Sequence, residues 1–93
     1  MNIQFDSDVG FEGALLIGWA NVGPRRIRCV AGRETINELE RFKHATASQI
    51  HLHKREIFEE LKPTFVKKIE SRELDNSTIP TVTVYLRDLP AFH

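Results

Sequence analysis

The sequence predicts a small α+β domain of two layers, in which a roughly four-stranded, mainly antiparallel sheet carries two helices on one face. Three observations predict it: strand-like runs before residue 32, helical periodicity from there to residue 70, and an alternating run near the C-terminus. The resulting order is β-β-β-α-α-β, and the 93 residues are enough for a single domain, 1–93.

Two strands are predicted before residue 20. Ile3 and Phe5 alternate with polar neighbours and form the first strand, which ends at the cluster 6–8. The stretch 6–12 is predicted to be a polar turn, because it lacks the glycine and glutamate spacing of a calcium-binding loop. The second strand covers 13–19. Its apolar run is nearly continuous, so either both faces are covered or one face lies against another subunit.

The third strand follows a turn at 21–24, where glycine and proline favour a reversal of the chain. From Arg25 onward, alternation places Ile27, Cys29 and Ala31 on one face and the residues between them on the other. The short connection favours antiparallel pairing with the second strand.

The first helix is predicted to begin at Gly32 or about three residues later. Ile36, Leu39 and Phe42 then recur every three residues and form one apolar stripe, while Asn37 faces away. This helix is therefore expected to pack by one side.

The second helix is predicted to begin at Thr46, because Thr46 and Gln49 have the spacing of a capping box. Pro63 removes one helical hydrogen bond, so we expect a kink or a break there. Six apolar residues form a long stripe along this helix: Ile50, Ile57, Phe58, Leu61, Phe65 and Ile69.

The last strand follows the polar segment 71–80 and covers the alternating run 81–86. We expect three of its side chains to face the helices and two later ones to close the sheet edge: Val82, Val84 and Leu86, then Leu89 and Phe92.

Composition and charge exclude several classes of protein. Thirteen Lys plus Arg balance thirteen Asp plus Glu, so there is no overall positive field to attract nucleic acid or anionic lipid. No apolar run approaches the roughly 20 residues that cross a bilayer, and no basic leader precedes an apolar segment. A single cysteine forms no internal disulfide, so a cytoplasmic protein is expected, with no role at the membrane.

No catalytic, cofactor-binding or metal site is predicted. Three histidines lie close together at His44, His51 and His53, but helical spacing points His51 and His53 in different directions, so we expect them to be solvated. Cys29 is expected to face inward as a small apolar residue. Since no acid, base and nucleophile converge, we predict that the protein is not an enzyme.

The first functional hypothesis is a non-enzymatic binding or protein-interaction module, with an unknown protein or a second copy as partner. The apolar surface around four residues is larger than two small helices need to cover: Leu15, Leu16, Trp19 and Leu52. These residues are the predicted interface of a homodimer, formed through the second strand or through an open sheet edge.

The alternative hypothesis is a nucleic-acid-associated regulator. Arg25, Arg26, Arg28 and Arg33 form the strongest local positive cluster, and Trp19 or Tyr85 offers a surface on which bases stack. Against this, acidic residues follow at once, and a mixed-charge edge strand is ordinary protection against aggregation.

Several segments together resemble a family of bacterial proteins. They are Ile27-x-Cys29, Arg33-Glu34-x-Ile36, Phe42, the helix 53–69 and Arg87-Asp88-Leu89. In this combination the chain, from about Ile3 to Leu89, resembles the uncharacterised family called domain of unknown function 1488 (DUF1488). The resemblance implies a small α+β fold in a bacterial cytoplasm. It implies no established activity, cofactor or ligand, and it assigns no catalytic residue.

Overall fold

Five strands form one sheet in the computed structural model, which describes residues 2–76 and 78–89. The strands are β1 (Ile3–Phe5), β2 (Gly10–Glu12), β3 (Leu15–Val22), β4 (Arg25–Gly32) and β5 (Thr81–Val84). The helices are α1 (Arg33–Ile36), α2 (Ala47–Leu52) and α3 (Lys54–Glu70), and short 3₁₀ turns lie at Glu40–Phe42 and Leu86–Asp88. The predicted α+β class and the approximate order of its elements are confirmed.

The sheet has the order β1-β3-β4-β5, and β2 also pairs with β3. Since β4 pairs with the whole length of β3, both β1 and β2 must lie along the other edge of β3. The pairings are antiparallel except that of β4 with β5, which is parallel because the helices connect these two strands. The sheet is therefore four strands wide although it contains five.

Strand β2 lies within the stretch 6–12, so the prediction of a polar turn there was wrong. The chain reverses between β2 and β3 at Gly13 and Ala14, both of which have positive φ (55° and 66°). Positive φ at both central residues is the requirement of a type I′ hairpin turn. Alanine rarely adopts this conformation, and so the dipeptide does not signal a hairpin.

The predicted turn at 21–24 is shorter than expected. Strand β3 continues to Val22 and β4 begins at Arg25, which leaves Gly23 and Pro24 as a two-residue loop. Gly23 has φ of 60°. The proline ring keeps φ negative at the next position, and this combination is that of a type II′ hairpin turn.

The first predicted helix is broken. Helix α1 ends at Ile36, Leu39 is extended, and a 3₁₀ turn follows. Asn37 does not face away as predicted, because its side-chain amide donates to the carbonyls of Phe42 (2.8 Å) and Ala45 (3.3 Å). The amide thus satisfies backbone acceptors that a continuing helix would have used. The buried stripe of this segment persists despite the break.

The capping box at Thr46 and Gln49 is confirmed: the Thr46 hydroxyl accepts from the Gln49 N–H, and the Gln49 side chain accepts from the Thr46 N–H. The helix breaks at His53, where φ is −102° and ψ is 18°, and α3 then runs without interruption across Pro63. The break predicted at Pro63 was therefore wrong. Pro63 and Glu59 are both exposed, so water can bind the Glu59 carbonyl that lacks a helical partner.

The helices cover one face of the sheet. The core contains the predicted stripe of the long helix together with one face of the strands: Leu16, Ala20, Ile27, Cys29, Ala31, Ile36, Phe42, Ile50, Ile57, Phe58, Leu61, Phe65, Ile69, Val82, Val84 and Leu89. The prediction for Val82, Val84 and Leu89 is confirmed. Leu86 lies in a 3₁₀ turn and is only half-buried, and Phe92 lies outside the described residues.

A close contact between helix and sheet joins Phe58 of α3 to Gly18 at the middle of β3. A Cβ atom at Gly18 would overlap the Phe58 ring. The same ring packs edge-on against Phe5 (centroids 5.6 Å apart) and at a tilt of 32° against Phe65 (5.3 Å). This aromatic cluster fixes where α3 crosses the sheet.

A buried ion pair joins the end of α3 to the C-terminal turn. The Lys68 side chain is 7% exposed, and its Nζ donates to Asp88 Oδ2 (2.7 Å) and to the Thr83 carbonyl (2.7 Å). The Tyr85 N–H donates to the same carboxylate (2.8 Å). Burial alone raises the pKa of Asp88, but these hydrogen bonds and the nearby charges of Lys68 and Arg87 outweigh it, so the pKa lies below its usual value.

Replacement of Gly18 by Ala should lower the free energy of unfolding by about 2 kcal/mol, because the added methyl group forces Phe58 away from the sheet. Urea denaturation measures this. Gly10→Ala is the matched control, since Gly10 is also in a strand but has open space around the Cβ position. We expect the control to change the free energy by less than about 0.5 kcal/mol. Equal effects of the two substitutions would contradict the proposed close contact.

Asp88 should make stability depend on pH. Because its folded pKa is below the unfolded value of about 3.9, its contribution is present above pH 4 and is lost as pH falls through the folded pKa. We expect Asp88→Asn to cost about 2 kcal/mol at pH 7 and to flatten the loss of stability below pH 4. Asp75→Asn, at an exposed position, is the control. Denaturation curves from pH 2 to 7 that fall in parallel for wild type and Asp88→Asn would refute this role.

Candidate functional site: the open face of the sheet

The candidate site is the face of the sheet opposite the core, and among the described helices only the first residues of α3, Lys54 and Arg55, line its β2 edge. We call it the open face. Alternation along β3 directs Leu16, Gly18 and Ala20 towards the helices, so the intervening residues must point the other way. Strand pairing then defines the members of the open face: Gln4, Asp6, Gly10, Glu12, Leu15, Ile17, Trp19, Asn21, Arg26, Arg28, Val30, Gly32, Thr81 and Thr83.

An apolar strip, made of Leu15, Ile17, Trp19 and Val30, crosses the middle of the open face. Ile17 pairs directly with Val30 on the neighbouring strand. Leu15 is 41% exposed, Ile17 and Trp19 are half-buried by their neighbours, and Val30 is only 8% exposed. These side chains are contiguous, because they occupy adjacent positions of two paired strands.

One end of the strip carries a polar cluster around Trp19. The Arg26 guanidinium lies over the Trp19 ring, 4.3 Å from its centroid. Arg26 Nη2 also donates to Asp6 Oδ2 (2.8 Å), and Asn21 Nδ2 donates to Asp6 Oδ1 (2.7 Å). The charge of Arg26 is thus balanced within the chain.

Arg28 differs from Arg26. It lies between Trp19 and Thr81 in the sheet and is half-buried. Its Nε atom is buried, and no described polar group hydrogen-bonds to it. Its guanidinium also forms no ion pair with a described carboxylate, so its charge is not balanced by a neighbour as that of Arg26 is.

An acidic residue lies at the opposite end of the strip. Glu12 is exposed and pairs with Leu15. A shallow depression of about 480 Å³ connects Glu12 with Ile17 and Trp19 along the β2 edge, and Lys54 and Arg55 of α3 also line it. Among the strand residues, the open face therefore has a negative group, Glu12, at one end and a positive group at the other, and the two cations of α3 lie at the rim on the Glu12 side.

The four predicted arginines do not form one cluster. Arg26 and Arg28 share the open face, but Arg25 points to the other face beside Val22 and Ile27. Arg33 lies at the far end of β4, roughly 26 Å from Arg25 by the usual strand spacing, where its Nη2 is 3.5 Å from the Ala45 carbonyl. Only two of the four residues therefore belong to the site.

Only two of the four residues of the predicted partner interface lie on the open face. Leu16 is 0% exposed and belongs to the core, so it is not a contact residue. Leu52 is 76% exposed but lies on α2, in the helical layer. Leu15 and Trp19 do share the open face, and Ile17 and Val30 join them. Alternation along the two strands is the signal that identifies these two additional residues.

The three clustered histidines lie away from the open face, on the side of the helices: His44, His51 and His53. His53 Nδ1 is 3.2 Å from Glu56 Oε1, and Arg41 Nη2 donates to Glu56 Oε2 at 2.9 Å. The hydrogen bonds from His53 and then Arg41 lower the pKa of Glu56. Within 2–76 and 78–89, no three His, Cys, Asp or Glu side chains are grouped as metal ligands.

Cys29 is buried as predicted, with 0% exposure, beneath the helices. Burial raises its pKa to about 12. The side chain is therefore a neutral thiol at physiological pH and packs as an apolar residue.

Comparison with models of known families, with curated proteins and with solved structures gives no match to this chain. Of the helices that the structure describes, none combines the length and the apolar character needed to span a bilayer. We therefore infer function from the open face itself.

Proposed function

We propose that the protein is a non-enzymatic interaction module that binds a protein partner through its open face. The observation that carries this proposal is the apolar strip of Leu15, Ile17, Trp19 and Val30. A sheet with one solvated face normally alternates between apolar buried and polar exposed residues. A contiguous apolar group on the solvated face is instead typical of a binding surface.

The distribution of reactive groups supports a binding role. In the described part of the chain, the one thiol is buried in the core, and the closest histidine and carboxylate are the exposed helical pair His53 and Glu56. No nucleophile accompanies this pair, and none of these groups lies on the open face.

We further propose that the chain belongs to the DUF1488 family that it resembles, in a bacterial cytoplasm. The packing of two of the resembling segments supports this. Ile27 and Cys29 lie in the core, and the Lys68–Asp88 ion pair joins the end of the helix 53–69 to the segment Arg87-Asp88-Leu89. Such roles in packing give a reason for those residue types to recur together. The single buried cysteine also suits a reducing compartment.

The second candidate function is binding of single-stranded nucleic acid at Trp19, Arg26 and Arg28. The position of Arg26 over the Trp19 ring favours it, because arginine and aromatic side chains on a sheet are a platform for stacked bases. The pairing of Arg26 with Asp6 and the net charge of zero weigh against it.

Ile17→Glu should abolish capture of a protein partner from a lysate of the native cell, because it places a charge at the centre of the apolar strip. Leu52→Glu is the matched control, since Leu52 is an exposed leucine of the helical layer. We expect the control to retain the partner, and circular dichroism to show that both variants are folded. Equal capture by wild type and Ile17→Glu would show that the open face is not the binding surface.

Titration with single-stranded oligonucleotides tests the second candidate. Trp19 is the one tryptophan of the chain, so its fluorescence reports on this site directly. Under the protein-binding proposal, we expect no quenching with oligo-dT or oligo-U even at low salt. Quenching that weakens steeply with salt and is lost in Arg28→Ala would establish nucleic-acid binding instead.

A further inference from the structure

We propose that the occupant of the open face is a second copy of this chain, docked face to face about a two-fold axis that passes through Ile17. Because the open face is the contact surface in the function proposed above, this inference rests on that proposal. It adds the identity of the partner and its orientation.

The position of two charges relative to Ile17 supports this arrangement. Glu12 pairs with Leu15 on one side of β3, and Arg28 pairs with Trp19 on the other side. Ile17 is midway between Leu15 and Trp19 along β3. With strands about 4.8 Å apart and about 3.3 Å per residue, Glu12 and Arg28 are roughly 16 Å apart, and the midpoint between them falls at Ile17.

A two-fold axis in the plane of the interface exchanges these two positions. If it passes through Ile17 at right angles to the line from Glu12 to Arg28, it places Glu12 of each copy opposite Arg28 of the other. Two intermolecular ion pairs then flank the apolar strip. Neither side chain has an ion-pair partner among the described residues, whereas Arg26 is already paired with Asp6.

The shape of the open face fits the same axis. On the strand spacing used above, the axis places Trp19 opposite Gly10 of the second copy, and Leu15 opposite Val30. Gly10 has no side chain and open space around its Cβ position, so it leaves room for an indole ring. The strands of the two sheets then cross at roughly 70°, which is close to the orthogonal class of sheet packing.

The edge at β5 is unsuited to pairing with a second copy. The backbone of Asp75 exchanges two hydrogen bonds with Thr81 (2.8 and 3.0 Å). Lys68 Nζ binds the next carbonyl that faces outward along this edge, that of Thr83. Blocked edges of this kind prevent strand addition. Self-association by strand addition at this edge is therefore disfavoured.

The size of the open face predicts a weak dimer. The two longest strands, β3 and β4, are about 23 Å long, and four such strands about 4.8 Å apart would give a footprint of roughly 450 Å², which is the upper limit per copy because the other strands are shorter. The total lies just below the range of stable specific interfaces, where transient complexes are found. We expect a dissociation constant in the micromolar range, between about 1 and 100 µM.

Sedimentation velocity of the purified chain from about 1 µM to 1 mM tests the inference. Glu12→Arg and Arg28→Glu should each weaken self-association at least about tenfold, because each places like charges opposite one another twice. An equimolar mixture of these two variants should recover association to within about threefold of wild type, because every charge then faces its opposite. Arg25→Glu is the matched control: it makes the same change on the same strand but on the other face, and should have no effect.

A second variant covers the case in which Arg28→Glu does not fold. Ile17→Cys should be cross-linked to its own copy by a short bis-maleimide, because Ile17 lies on the axis and packed sheets are about 10 Å apart, which is too far for a direct disulfide. Leu52→Cys, in the helical layer, should not be cross-linked. The native Cys29 is buried and does not compete.

Each contrary result separates this inference from the proposed function. A chain that stays monomeric at 1 mM overturns the inference, but the proposed function stands if Ile17→Glu still loses a captured protein. Association that depends on Ile17 but is not recovered in the mixture overturns the two-fold arrangement. A salt-sensitive oligonucleotide complex on Trp19 overturns both.

Discussion

The contact between the Phe58 ring and the backbone of Gly18 determines how the two layers of this protein meet. Because Gly18 has no side chain, α3 approaches the middle of the sheet closely enough for Phe58 to pack against Phe5 and Phe65 at once. The remaining apolar residues of α2 and α3 are then directed at the same face. The apolar side of these two helices thereby packs on one face of the sheet, and Leu15, Ile17 and Trp19 lie on the other face.

The C-terminal part of the chain completes this one-sided arrangement. Lys68 reaches from α3 to the Thr83 carbonyl and to Asp88, so one side chain joins the helix, the edge strand and the final turn. A cation this deeply buried is stable only with charged and polar partners, and the structure supplies both. The same contacts protect the β5 edge. In our proposal, interaction with other molecules is directed to the open face.

The sequence was sufficient for the class of fold, the three longer strands, the capping box at Thr46 and most of the core. The sequence did not predict the structure at positions where a residue adopts a conformation that its type does not favour. The Gly13–Ala14 turn carries positive φ at an alanine, which no pattern signals, so β2 was missed. Pro63 is tolerated because its side of α3 faces solvent, whereas the break falls at His53, where nothing in the residue type marks it. The site was predicted in part. Alternation places Leu15 and Trp19 on the face opposite Leu16. Grouping the arginines by their nearness in sequence, however, combined Arg26 and Arg28 of the open face with Arg25 and Arg33, which lie elsewhere.

In our proposal, burial on one side of the sheet leaves the open face free to bind a second copy of the chain, and isotope-filtered nuclear Overhauser spectroscopy detects that contact atom by atom. A mixture of labelled and unlabelled chain at about 1 mM is well above the expected dissociation constant. Our account predicts intermolecular signals from the Ile17 methyl groups and the Trp19 indole, and none from Leu52 or the rest of the helical layer. Intermolecular signals confined to the helices, or none at this concentration, would contradict it.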